Sequence, residues 1–196
     1  MMKRHTSHII LIITICVLTA CQANLNQQSF PTMTFKYLPD IKLRVSDIKL
    51  ISNVKLNFDE PHVAYKLPVS PEKALIQWTK DRLLIGGNTN TAKMIIIRAD
   101  AHEIKLKLDS SLTGVFKNQQ SHRFEIFIEA RLEILDKNKV RQAFVTAKAQ
   151  QSITVSEATS MSDRLTIWYN LVEKLMNEFN LIIQKNIEQK FQGYLL

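Results

Sequence analysis

The chain has 196 residues and a formal net charge of +8, from 26 basic and 18 acidic residues. Apolar residues make up 45% and charged residues 22%, which excludes an intrinsically disordered chain and suits one globular domain. Four Gly and five Pro exclude collagen-like or linker-like character, and two Cys exclude a disulfide scaffold or a multi-cysteine zinc module.

Residues 1–20 read as a targeting segment. Lys3 and Arg4 form a positive start, and Ile9 to Leu18 is an apolar run broken only by Thr14. That run is too short to span a bilayer and fits the hydrophobic stretch of a signal peptide. The tetrapeptide that follows, Leu18-Thr19-Ala20-Cys21, resembles the lipobox of bacterial lipoproteins. The resemblance implies cleavage before Cys21 and lipidation of that cysteine, palmitate included. An ordinary secretory cut near Ala23 is the alternative. Each buried CH2 of an acyl chain is worth about 0.8 kcal/mol, and two or more chains anchor a protein stably. Residue 22 is Gln, where Asp would favour retention at the inner membrane. By the same resemblance the expected address is the outer membrane, facing the periplasm. Cleavage would also remove Cys16. The mature domain then has neither a free thiol nor a disulfide and depends on its core.

Cys21 to Asp40 is rich in Gln and Asn, holds two Pro and shows no period, and reads as a flexible tether. Phe35, Tyr37 and Leu38 are its candidates for docking on the domain. Residues 41–196 are expected to form a single α+β domain. Ile41 to Leu56 alternates, with a change of parity at Asp47 that marks a bulge or a break between strands. Ser70-Pro71-Glu72 is a helix start, and Ala74, Leu75, Trp78 and Ile85 make a stripe at helical spacing up to a Gly86-Gly87 cap, so a helix is predicted over 71–85. Lys93 to Leu108 is a second extended stretch. Ile95, Ile97, Ala99 and Ala101 share one parity, with a slip near His102, and residues 109–122 read as a loop.

Arg123 to Leu135 is the clearest strand, with Phe124, Ile126, Ile128, Ala130, Leu132 and Ile134 on one face. Asp136 to Lys139 reads as a hairpin loop, and Val140 to Val155 returns with small inward residues, among them Ala143, Ala147 and Ala149. Ser160 to Asp163 resembles a capping box and opens a long amphipathic helix over about 161–191. The order β-α-β-β-β-α predicts a largely antiparallel four-stranded sheet with both helices on one face.

Catalytic signatures are missing: no G-x-S-x-G, P-loop, H-E-x-x-H or C-x-x-C occurs. No enzyme activity and no cofactor are therefore expected. Asp59-Glu60-Pro61-His62 sets two acids near a His, but three local groups in a Pro-containing loop read as a solvated loop, so no metal is expected. Gly86-Gly87-Asn88 follows a helix instead of opening one and is no phosphate cradle. Trp78 and Trp168 lie on apolar stripes and read as core. Arg82 and Arg164 read as buried stems with solvated or paired heads.

The outward parity of the last two strands is different. If Leu135 faces Val140, Arg131 opposes Phe144 and Phe127 opposes Lys148, which sets two aromatics and two cations on the face away from the helices. That composition is enriched at protein interfaces, so these four residues are the candidate partner- or lipid-binding set, with chance exposure or cover by the tether as the alternatives. Lys42, Arg44, Lys49, Lys55, Arg98, Lys105 and Lys107 add a basic excess on the first two extended stretches. Phospholipid headgroups or lipopolysaccharide phosphates are sensible anionic ligands for it, a solvated edge that blocks strand pairing is the competing expectation, and nucleic acid is not expected.

A lipobox, a tether and a β-α-β-β-β-α domain that ends in a long helix resemble two families. One comprises the auxiliary lipoproteins of ABC-type lipid-transport systems that accompany MCE-domain proteins, and Pro71 to Leu83 is similar to the first helix of that family. The other is the lipoprotein that plugs the lipopolysaccharide-assembly barrel. The resemblance is architectural and carries over only Cys21. It implies a non-enzymatic accessory lipoprotein with an envelope-transport protein as partner. A periplasmic carrier holding one lipid between helices and sheet, and a purely structural envelope lipoprotein, are the competing expectations.

Overall fold

The computed structural model describes residues 29–107 and 120–196. The expected signal segment, the lipidation site Cys21, the first part of the tether and most of the expected loop at 109–122 lie outside these residues. The elements are β1 (Ile41–Leu43), β2 (Asp47–Ser52), α1 (Pro71–Arg82), β3 (Leu83–Ile85), β4 (Thr91–Lys105), β5 (Gln120–Leu135), β6 (Arg141–Ser156) and α2 (Met161–Lys190).

The main sheet has four strands in the order β2-β4-β5-β6. β2 runs parallel to β4, and the β4–β5 and β5–β6 pairs are antiparallel. β1 and β3 form a separate parallel pair. The fold is α+β with an open, mostly antiparallel sheet, as the order of elements predicts. The six residues of β5 at alternate positions from Phe124 to Ile134 are apolar and buried, so its alternation carries one complete face into the core. Trp168 of α2 meets Phe124 edge-on at 4.9 Å, and Trp78 of α1 meets Phe179 of α2 at 5.4 Å. Both helices therefore seal that same face. Each fully buried Leu, Ile or Phe contributes roughly 1.5–3 kcal/mol.

Ser70 caps α1 by accepting the Lys73 N–H at 3.3 Å, and Ser160 caps α2 by accepting the Asp163 N–H at 3.1 Å. The first helix is shorter than the sequence predicts. It ends at Arg82, because Leu83 to Ile85 pair with β1. Gly86 and Gly87 are not its cap. They run against the backbone of β1 and the residues just after it, with Gly86 N–H donating to Leu43 O at 2.8 Å and Gly87 N–H to Val45 O at 3.1 Å. A Cβ on Gly87 would stand 2.6 Å from the Arg44 carbonyl carbon, while a Cβ on Gly86 would meet only the Leu196 side chain first. Close approach of two backbones, not helix termination, calls for glycine here.

The parity change in β4 also falls elsewhere. Its register against β5 shifts between Ile96 and Arg98, so Met94 and Ile96 point inward before a bulge at Ile97, and Ala99 and Ala101 point inward after it. Ile95 and Ile97, read from the sequence as sharing one parity with Ala99 and Ala101, lie on the other face and are only partly buried.

Residues 29–40 are not free tether. Met33 and Phe35 belong to the core. The Phe35 N–H and the Thr34 hydroxyl donate to Asp81 Oδ2 at 2.8 and 2.9 Å, and the Gln77 amide donates to Asp81 Oδ1 at 2.8 Å. Arg82, 1% exposed, donates to Pro39 O and, at 2.8 Å, to Gln184 Oε1 of α2, so its head is buried along with its stem. The loss of flexibility has a simple cause: the buried Asp81 needs donors, and the segment supplies two of them.

Two outcomes follow. Gly87→Ala loses about 1–3 kcal/mol of stability and Gly86→Ala markedly less, measured by urea denaturation, because backbone yields less readily than the end of a leucine. Burial pushes the Asp81 carboxyl up, but the Phe35, Thr34 and Gln77 hydrogen bonds and the Lys36 charge outweigh it and hold its pKa below the ordinary value. A lowered folded pKa stabilises above the unfolded value and is lost as pH falls through the folded one. Asp81→Ala is therefore less stable than the parent at pH 7, by about 1–3 kcal/mol, and that difference shrinks below about pH 4.

Candidate functional site

The helices occupy one face of the sheet, and the other face holds the polar half of the alternation. Facing outward are Arg98, Asp100 and His102 on β4, the residues from Glu125 to Glu133 at alternate positions on β5, and Phe144, Thr146 and Lys148 on β6. All four sequence-predicted partner residues lie on this face, but the pairing among them differs from expectation.

Glu133, not Arg131, faces Phe144, while Arg131 faces Thr146, Phe127 faces Gln150 and Lys148 faces Glu129. The register is displaced by two positions for two separate reasons. The Asp136 N–H bonds Val140 O at 2.9 Å, so the tight loop is Lys137 to Lys139, with Lys139 in the left-handed region at φ 63. A bulge between Ile134 and Leu135 adds a second step. Two one-residue shifts leave every side chain on its expected face and move every partner by two. Phe127 and Phe144 consequently stand about 20 Å apart along the strands, since six β5 positions separate Phe127 from Glu133. Lys148 is spent on an ion pair with Glu129 at 3.2 Å. Arg131 does reach Phe144 on the diagonal, 5.5 Å from the ring centre.

One end of the face is built around Phe144, which is 44% exposed. Arg141 lies 4.7 Å from its ring centre, so the ring sits between two guanidinium groups. Beneath them Glu133 is 5% exposed and takes Arg141 at 3.1 Å, Lys93 at 3.2 Å and Arg131 at 3.7 Å. Burial pushes the Glu133 carboxyl up, but the hydrogen bonds and charges of Lys93 and Arg141 leave its pKa lowered. A fixed anion thus orders the cations around an exposed aromatic ring. Adjoining it is an open cleft of about 920 Å³ lined by Lys49, Lys93, Lys137, Lys139 and Arg141, with Glu133 and Asp136 as its acids. The expected basic excess on the early strands contributes Lys49 to this cleft. Arg98 lies instead 4.4 Å from the Phe127 ring centre, and Arg44 donates to Leu195 O at 3.0 Å.

At the other end Phe127 packs on His102, with ring centres 5.3 Å apart. His62 comes to this place from the loop after β2. Val63 N–H donates to Ala101 O and Glu103 N–H donates to Pro61 O, both at 2.8 Å, so the loop takes over the β4 edge that β2 leaves at Ile96. His62 Nδ1 and His102 Nε2 each lie 2.8 Å from Asp100 Oδ2. Burial raises the Asp100 carboxyl, yet the two His contacts and the Ala101 N–H leave its pKa lowered. The acids that border His62 in sequence, Asp59 and Glu60, are not its partners in this cluster; the carboxylate comes from β4. Beside it Phe58 and Tyr65, both exposed, meet edge-on at 5.1 Å.

The third feature is an open groove of about 750 Å³ between the N-terminal segment and the starts of both helices, lined by Phe30, Pro31, Met33, Val69 and Leu165 among others. The space between helices and sheet is occupied by wholly buried side chains, including Met94, Leu132, Leu175, Met176 and Phe179. Arg164 of α2 is salt-bridged to Glu103 at 3.2 Å, as a head beside an apolar stripe can be.

Nothing local in the sequence ties His62 to Asp100, or Phe127 to Arg98, because the signal is a strand register. The Glu133 anchor is equally hidden, as one Glu among several on a polar face. Comparison of the sequence with protein-family models and with curated proteins returns no match.

Glu133→Gln removes the anion and frees three cations. The parent is more stable by about 1–3 kcal/mol at pH 7. Because the folded pKa is lowered, that advantage is present above the unfolded value and disappears as pH falls through the folded one. Thermal melts of both proteins between pH 7 and pH 3 converge at the acid end if Glu133 orders the site as described.

Proposed function

We propose that this chain is a membrane-anchored, non-enzymatic accessory lipoprotein of an ABC-type, MCE-like envelope lipid-transport system. It binds a protein partner in the periplasm through the sheet face that neither helix covers. The observation that carries the reading is the Phe144 platform: an exposed ring between Arg131 and Arg141, ordered by the buried Glu133, on a face that neither helix covers. Exposed aromatics framed by Arg are the residue types that dominate binding energy at interfaces. The Leu18-Thr19-Ala20-Cys21 motif supports an anchor at Cys21 and an outer-membrane, periplasm-facing address. The adjoining basic cleft has the charge to meet phospholipid or lipopolysaccharide phosphates beside the partner.

The second reading is the lipopolysaccharide-assembly lipoprotein, with an outer-membrane barrel as partner. It shares the anchor and the architecture and differs in what the face would meet. A carrier with one lipid between helices and sheet has less support, since large apolar side chains fill that space.

Cross-linking in native membranes followed by affinity recovery and mass spectrometry separates the readings. An MCE-type protein recovered with its ATPase and permease supports the transport role, and a large outer-membrane barrel supports the assembly role. Phe144→Ala combined with Arg131→Ala is expected to lower recovery of the partner at least tenfold, equivalent to about 1.4 kcal/mol, without unfolding the domain. Unchanged recovery from that double variant would sink the assignment of this face. Phe127→Ala, about 20 Å away, leaves recovery largely intact.

A further inference from the structure

We propose that His62, Asp100 and His102 form a binding site for one divalent transition-metal ion, of which Zn2+ is the representative. The inference rests on this cluster alone and is independent of the transport reading.

The three donor atoms lie within 4.8 Å of one another. Zinc holds nitrogen and carboxylate oxygen at about 2.0–2.2 Å, so tetrahedral donors stand about 3.4 Å apart. Side-chain movements of about an ångström bring the three groups to a common ion at that spacing. The carboxylate is already aimed: the Ala101 N–H donates to Asp100 Oδ1 at 2.8 Å, and Oδ2 faces both rings.

His62 supplies the observation that a plain hydrogen-bonded cluster does not explain. Its Nδ1 is buried and has no aligned hydrogen-bond partner among the described residues, although Asp100 Oδ2 is 2.8 Å away. The contact is close without the alignment of a hydrogen bond. A buried polar atom left in this way calls for a missing partner. An ion held between the ring nitrogen and the carboxylate is such a partner.

The frame is rigid enough to hold a site. Asp100 and His102 are two positions apart on β4 and project from one face of the strand. His62 is held across from His102 by backbone pairing. The two imidazoles meet edge-on, 4.7 Å between centres, and Phe127 walls the His102 side. Two imidazoles and one carboxylate suit zinc and its first-row neighbours. They do not suit Ca2+ or Mg2+, which take oxygen ligands. Three protein ligands leave a position for water.

The test titrates the full-length chain, purified in detergent, with Zn2+ by calorimetry and with Co2+ by visible absorption. One saturable ion per chain is expected, with visible Co2+ bands of imidazole ligation and a melting temperature raised by Zn2+. His62→Ala, His102→Ala and Asp100→Asn each weaken Zn2+ binding at least about tenfold and abolish both signatures. His122→Ala, which alters a histidine bonded to Ser121, leaves them in place. Asp100→Asn keeps the size of the side chain and serves if an alanine variant fails to fold. Absence of saturable binding in the parent overturns the proposal. So does binding that persists unchanged in folded Asp100→Asn, or that is lost equally in His122→Ala.

Discussion

Everything in this molecule depends on the strict two-residue alternation of β5. Six consecutive inward positions from Phe124 to Ile134 are apolar and buried, and the positions between them are charged or aromatic. A sheet with one apolar face needs cover on that side only. α2 supplies most of it along β6 and β5, and α1 closes the rest against β4. The two helices are joined by the buried bond from Trp78 Nε1 to Asn180 Oδ1 at 3.0 Å. Once the helices are committed to one side, the polar half of the alternation is left as a surface. Both sites described above lie on it.

Small register events then decide what that surface contains. Without the bulge at Ile97, the inward parity of Met94 and Ile96 would carry on to Arg98, Asp100 and His102. Those three would be turned into the core and Ala99 and Ala101 out of it. The bulge reverses the parity, gives small alanines to the interior and sets a carboxylate and an imidazole outward, opposite Phe127 and Glu125. The bulge beside Leu135 acts similarly at the other end. It brings Glu133 opposite Phe144 and places Arg141 where it can reach both.

The buried polar groups show a second theme. Asp81, Arg82 and Glu133 are all under one-tenth exposed, and each is bonded to groups distant in sequence, although the buried Arg82 Nε has no hydrogen-bond partner among the described residues. Asp81 captures the N-terminal segment, Arg82 links that segment to α2, and Glu133 gathers cations from β4, β5 and β6. Desolvation makes such groups costly when unpaired, so each specifies one arrangement of its neighbours. The polar, proline-containing stretch before β1 is held for this reason, even though its composition resembles a tether.

The sequence by itself determined the fold class, the two helix N-caps, the inward face of β5 and β6 and the presence of an outward face bearing Phe127, Arg131, Phe144 and Lys148. These are local properties: period, cap chemistry and turn residues act within a few positions of one another. The tertiary structure alone decided which outward residues meet. It paired Arg131 and Arg141 with Phe144, gave Lys148 to Glu129, and carried His62 across to Asp100 and His102. It also made a strand of Leu83 to Ile85 and set Gly87 against the Arg44–Val45 backbone. The physical reason is that a strand's alternation determines only which side a residue faces. Its neighbour depends on the register, and bulges and hairpin geometry shift the register by single residues at no visible cost to the pattern.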